Sequence, residues 1–190
     1  DDVVWLKIAA ARKRMTYADE REVLDQAVAL PDTTPYLIVR HTRATPRHDW
    51  TGDDRFRPLD EKGRKQALAL IPLLDAFGVR QLTSSSSERC RQTLAPYARA
   101  AGLTVKPASL LSEEVGEDHL AGVERYVRKQ AVKAARTRVP SAVCGHRPVL
   151  PAMLGGLQIP PRQMPVGCVL AVHVDGDGHV VSHEWHDPRT

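Results

Sequence analysis

The sequence predicts a three-layer α/β/α sandwich built on a mixed, mainly parallel sheet that ends in a C-terminal β-hairpin. Three observations carry this. Short apolar runs such as Tyr36-Leu37-Ile38-Val39 and Ser141 to Cys144 have the continuous hydrophobicity of strands covered on both faces. Segments of helical periodicity alternate with them. Last, Gly167–Val174 and His179–Trp185 alternate like strands around Asp175-Gly176-Asp177-Gly178, a strong hairpin turn.

In chain order, Val3-Val4-Trp5-Leu6 reads as a short strand, followed by an Arg/Ala-rich helix to about Arg14. A second helix runs from Ala18 to Leu30, with Val23, Leu24, Ala27 and Leu30 at helical spacing. Residues 31–35, Pro-Asp-Thr-Thr-Pro, form a linker by composition, which divides residues 1–30 from a domain over 36–190. After the Tyr36–Val39 strand, Arg43 to Arg57 is a polar loop. A helix from Asp60 to Phe77 stops at Gly78, with Pro72 expected to kink or interrupt it. A strand over Val79–Leu82, a helix over Glu88–Ala101 closed by Gly102, and a short strand near Thr104-Val105 follow. A loop then leads to a helix from Asp118 to Arg138, the Ser141–Cys144 strand, and a helix opened by Pro148 that runs through Leu154.

The 190 residues suffice for one full domain and an appendage, and 42% hydrophobic content supports an ordinary core. The formal charge is +4, and arginine outnumbers lysine. No Lys/Arg-rich block occurs and aromatics are sparse, which argues against nucleic acid; Arg12-Lys13-Arg14 reads as a solvated helix face. Arginine-lined clefts for phosphorylated small molecules suit the same numbers. Three cysteines without C-x-x-C spacing predict reduced thiols and a cytoplasmic protein. No run approaches the ~20 apolar residues of a membrane span, and no membrane partner is expected.

Two buried strands each end in a histidine, at Arg40-His41 and Gly145-His146, and a third ends in a serine run just before Arg89. In a parallel sheet, ligands bind beyond the carboxyl ends of the strands, so His41, His146, Arg40 and Arg89 should face one crevice. Donors and cations beside helix N-termini suit a doubly charged phosphoryl group. The plainer readings are hydrogen-bonded histidines at strand ends, arginines in structural ion pairs, and Gly63 as a merely tolerated helix residue. A zinc site is disfavoured: His179 and His183 share a strand face but lie about 13 Å apart, and His183 and His186 face opposite sides.

Arg40-His41 after a strand, then Leu59, Gly63, Gln66 and Ala67, then Ser85, Arg89, Gln92 and Thr93, and finally Gly145-His146 with Pro148 together resemble the histidine phosphatase superfamily. The resemblance spans about Pro35 to Trp185 and lies nearest the small, phosphohistidine-phosphatase-type branch of this phosphoglycerate-mutase-like family. It implies attack by His41 on phosphorus, a phosphohistidine, and release of phosphate by water. Arg40, Arg89 and His146 would bind the phosphoryl group, and Glu113 would be the general acid, with Glu114 and Asp118 as rivals. No cofactor or metal is implied for this domain. Two positions depart from the pattern: Thr42 stands where the family has Gly, and Ser86 where it often has Pro. A side chain at Thr42 is expected to narrow the pocket or shift the backbone.

Residues 2–24 resemble the last strand and helix of a Nudix hydrolase, without the catalytic Nudix box. Together the two resemblances imply the carboxyl-terminal part of a MutT-type Nudix–histidine phosphatase protein. The implied role is sanitation of the nucleotide pool, on oxidised purine nucleotides or dinucleoside polyphosphates. Mg²⁺ would belong to the Nudix domain, supplied in cis or in trans. The alternatives are a phosphate-binding or docking domain that serves the Nudix domain, and a protein phosphohistidine phosphatase.

Overall fold

A computed structural model describes residues 4–187. The chain divides into two units, Asp1–Asp32 and Thr33–Thr190. In the first, α1 (Ile8–Arg14) and α2 (Ala18–Ala29) bury no residue. Arg12 and Asp25 tie them together at 2.6 Å, and Arg21 donates to the Met15 carbonyl at 2.7 Å. The strand expected at residues 3–6 is not formed over Val4–Leu6, and Val3 lies outside the described residues. An isolated apolar run needs a neighbouring strand for its backbone groups, and this unit contains none among the described residues.

The second unit holds a six-stranded sheet in the order β3-β2-β4-β1-β5-β6. The strands are β1 (Thr34–Arg40), β2 (Gln81–Ser84), β3 (Val105–Pro107), β4 (Ser141–Gly145), β5 (Val169–Val174) and β6 (Val180–His186). The first four run parallel, and β5 and β6 are antiparallel, forming the terminal hairpin. β1 begins at Thr34, two residues before the expected strand start at Tyr36. Thr34 and Pro35 pair only with β5, so the missing proline N–H costs little at that strand end.

Alternate strand residues serve opposite layers. Tyr36, Ile38, Val143, Leu170 and Val172 pack with α6 (Leu120–Thr137) and α7 (Leu150–Gly155). Leu37, Val39, Ala142, Cys144, Val169 and Ala171 pack with α3 (Glu61–Ala76) and α4 (Glu88–Ala101). Helix α6 buries Val123, Val127, Ala131, Ala134 and Ala135, the stripe that a helix against one sheet face requires. Pro72 does not interrupt α3. It lies on the exposed side, where water can satisfy the carbonyl one turn back. Gly102 caps α4 at φ 66°. Four-residue α5 (Glu113–Gly116), capped by Ser112, replaces part of the expected loop. Among the described residues, no helix is long and apolar enough to cross a membrane.

Candidate active site

Strand register builds the site. Arg40 lies opposite Gly145 and Ser84 opposite Cys144, so the next residues, His41, His146 and Ser85, emerge side by side. The His41 backbone N–H donates to the Gly145 carbonyl at 3.2 Å, and the Ser85 N–H to the Cys144 carbonyl at 2.9 Å. The two imidazoles meet edge to face with centroids 5.2 Å apart.

His41 is partly exposed and forms the wall of a cavity of about 960 Å³. Its Nδ1 lies 2.7 Å from the Thr42 carbonyl oxygen. A carbonyl can only accept, so Nδ1 carries the proton and Nε2 keeps its lone pair. Burial pulls the His41 pKa down to about 4; the Thr42 carbonyl opposes this, and the charges of Arg89, Arg40 and Arg57 add to it. His146 is fully buried, with Nε2 2.8 Å from Ser85 Oγ and 3.4 Å from Cys90 Sγ. Burial, then Arg89 and His41, lower its pKa to about 2. Both rings are therefore neutral near pH 7.

Arg89 is fully buried near the start of α4. Its Nη1 donates to the Asp54 carbonyl at 2.7 Å, and its Nη2 donates to Glu113 Oε2 at 2.8 Å and reaches Asp54 Oδ2 at 3.1 Å. Its Nε is buried without a hydrogen-bond partner among the described residues. Glu113 Oε2 also accepts from Arg47 Nη2 at 3.1 Å. Glu114 and Asp118 line the same cavity, but Glu113 is the one bound to Arg89. Arg40 lines the cavity too, with Nη1 donating to the Met164 carbonyl and a buried Nε that has no hydrogen-bond partner among the described residues.

Three expectations change. Thr42 does not narrow the cavity. It is fully buried, and its N–H donates to Thr93 Oγ1 at 3.0 Å. Thr93 spends its own hydroxyl proton on the Arg89 carbonyl at 2.7 Å, so the Thr42 hydroxyl donates to Thr93 Oγ1 at 3.2 Å. Thr42 thus ties the end of β1 to the helix that carries Arg89, and its φ is negative, so glycine is not required there. Gly63 is more than tolerated, because a Cβ there would sit 1.8 Å from the Arg43 carbonyl oxygen. That approach lets Gln66 Oε1 accept from the Arg43 N–H at 3.1 Å and orders the chain just after His41. The loop from Arg43 to Arg57 is not simply polar surface either. Asp54 and Arg57, which sequence reasoning missed, turn inward: Arg57 Nε donates to Asp54 Oδ1 at 2.7 Å and Nη1 to the Thr45 carbonyl at 2.7 Å. Their composition marked a solvated loop, and nothing in their spacing distinguished inward from outward charges. Among the described residues, no group of three or more His, Cys, Asp or Glu could hold a metal ion.

A family model described as the histidine phosphatase superfamily (branch 1) matches residues 36–141, more than half of the chain. The chain belongs to that superfamily. By that membership it is a hydrolase of the phosphatase kind. It is 38% identical over 156 residues to the 8-oxo-(d)GTP phosphatase of Mycolicibacterium smegmatis, an alignment covering 81% of this chain and 47% of that protein. The chain therefore spans about half the length of that curated relative. Among solved structures it resembles the protein histidine phosphatase SixA complexed with tungstate, at TM-score 0.66 and 19% identity over 82% of this chain and 97% of that one. It also resembles the mycobacterial glucosyl-3-phosphoglycerate phosphatase, at TM-score 0.56 and 15% identity over 80% and 97%. At such identities these two speak for the fold alone.

Proposed function

We propose that the domain hydrolyses phosphate esters of nucleotides through a phosphohistidine on His41 Nε2. The observation that carries this reading is the tautomer: Thr42's carbonyl holds the proton on Nδ1, and the pKa of about 4 keeps the ring a neutral nucleophile. In the first step an Nε2–P bond forms as the bond from phosphorus to the leaving oxygen breaks. That oxygen departs with its electron pair and takes a proton. In the second step water breaks the Nε2–P bond and releases phosphate.

The residues around His41 fit defined parts. Arg89 and Arg40 meet the charge on the phosphoryl oxygens, and neutral His146, held by Ser85, packs against the nucleophile. Glu113 is assigned proton donation to the leaving oxygen once the phosphoryl group takes over the Arg89 donors that now hold it. The nucleotide assignment draws on the relative from Mycolicibacterium smegmatis and on the arginine-lined cavity. Residues 1–30 are read as the end of a Nudix-like domain, whose remainder would act in cis or in trans and would be the only part to need Mg²⁺. The exposed Trp5, Val23 and Leu30 are the apolar surface such a domain would cover. On this reading the whole protein works in nucleotide-pool sanitation.

One observation favours the docking alternative: Asp54 and Glu113 already occupy the Arg89 donors that a phosphoryl group would need. Phosphate release from nucleoside mono-, di- and triphosphates in EDTA, for wild type and His41→Ala, separates the two. Release that survives EDTA and falls roughly a thousandfold or more in the variant is expected. Nucleotide binding without release would favour docking.

A further inference from the structure

The arginines around the cavity are of two kinds. Arg43, Arg47, Arg57 and Arg89 are each paired with a carboxylate: Arg43 with Asp60 at 2.7 Å, Arg57 with Asp54, Arg47 and Arg89 with both Asp54 and Glu113. Arg40 and Arg147 have no such partner among the described residues. Arg147 directly follows His146, its side chain is exposed, and it lines both the cavity before His41 and an adjoining one of about 780 Å³. Arg40 is common to the same two cavities. Burial first, and the Arg147 charge second, pull the Arg40 pKa below its ordinary value, which places the two cations within each other's field. Neither guanidinium is ion-paired among the described residues, and the buried Arg40 Nε has no hydrogen-bond partner among them, although Glu113 acts on Arg40 at longer range.

We propose that Arg147 binds the phosphate next to the one transferred to His41, so that the site selects nucleoside di- and triphosphates over monophosphates. This rests on the reading of His41 as the phosphate acceptor. A transferred phosphoryl group is met by Arg89 and Arg40, and a second phosphate adds charge that those two do not balance. The paired arginines would have to leave their carboxylates to help. Arg147 has its whole fork available, and an exposed guanidinium is suited to bidentate contact with phosphate oxygens. Its place beside His146 puts that fork at the rim of the transfer site and not in its floor.

The test is calorimetric titration of the full chain with imidodiphosphate, which mimics two linked phosphates, and with inorganic phosphate, for wild type and Arg147→Gln. Wild type should bind imidodiphosphate at least about tenfold more tightly than phosphate, and the variant should lose most of that margin. In parallel, kcat/KM for a nucleoside diphosphate should fall about tenfold further in the variant than kcat/KM for p-nitrophenyl phosphate. Equal losses on both ligands, or a margin left intact, would overturn the assignment of Arg147. Absence of His41-dependent hydrolysis alongside the expected binding margin would instead remove the phosphatase reading and leave Arg147 as a diphosphate-binding residue.

Discussion

β1 and β4 lie side by side in the sheet, and each ends in a histidine one residue past a shared register pair. At the end of β1, His41 faces the cavity with its Nδ1 tied to a carbonyl. At the end of β4, His146 is fully buried, its Nε2 against Ser85 Oγ and Cys90 Sγ. Identical side chains at equivalent strand ends thus differ in which nitrogen is engaged and in what surrounds it. The first arrangement leaves a lone pair toward solvent. The second gives a buried neutral ring against His41. The difference arises from neighbours: the wide cavity before β1 and the serine run of β2 beside β4.

Arg89 stands behind both ends, and its removal has the largest expected effect. Arg89→Ala would remove the buried partner of the Asp54 and Glu113 carboxylates, leaving them to Arg47 and Arg57, and empty a buried volume. Phosphate release should fall by roughly two to three orders of magnitude, and stability by on the order of 3 kcal/mol, measured by urea denaturation. A variant that kept its activity would mean that the end of β1 works without the arginine behind it.

The pH dependence separates the two histidines further. Both folded-state values are depressed, to about 4 and about 2 from an ordinary 6.5, so the unfolded chain takes up protons first. Stability from these neutral rings is complete above about pH 6.5 and is lost as the pH falls. The His41 share is spent by about pH 4, whereas the His146 share keeps declining towards pH 2. Urea midpoints between pH 6.5 and 4 should therefore fall less steeply for His146→Gln than for wild type, and parallel slopes would contradict the burial of a neutral ring.

The smallest effect belongs to Thr42. Thr42→Gly removes the hydroxyl bond to Thr93 and frees the backbone, at an expected cost of about 1–2 kcal/mol in the thermal midpoint analysis. Activity should change less than in Arg89→Ala, because the Thr42 carbonyl that orients His41 remains.

Much of this architecture was legible in the sequence, for reasons that differ by element. Tyr36–Val39 and Ser141–Cys144 announced themselves because strands buried on both faces must be continuously apolar, and the histidines at their ends then followed from the parallel register. Boundaries were less legible: β2 lies two residues later than expected, at Gln81–Ser84, because turn and strand compositions overlap there. The strand read at residues 3–6 had β-type residues but no partner among the described ones. The physical need for Gly63, quoted in the family pattern, was not legible because the Arg43 carbonyl that crowds it lies on a different element. Asp54, Arg57 and Arg147 were missed because inward and outward charges on a loop have the same composition, and only the folded chain distinguishes them.

On the proposed reading, Nε2 of His41 accepts the phosphoryl group. Mixing the chain with a nucleoside triphosphate, quenching in base within the first turnover and mapping phosphopeptides by mass spectrometry tests it most directly. One phosphoryl group on the peptide containing His41, stable in base and lost in acid, and absent from His41→Ala, is the predicted result. Steady release of phosphate with no phosphoryl group on that peptide, or with the group on another residue, would contradict it.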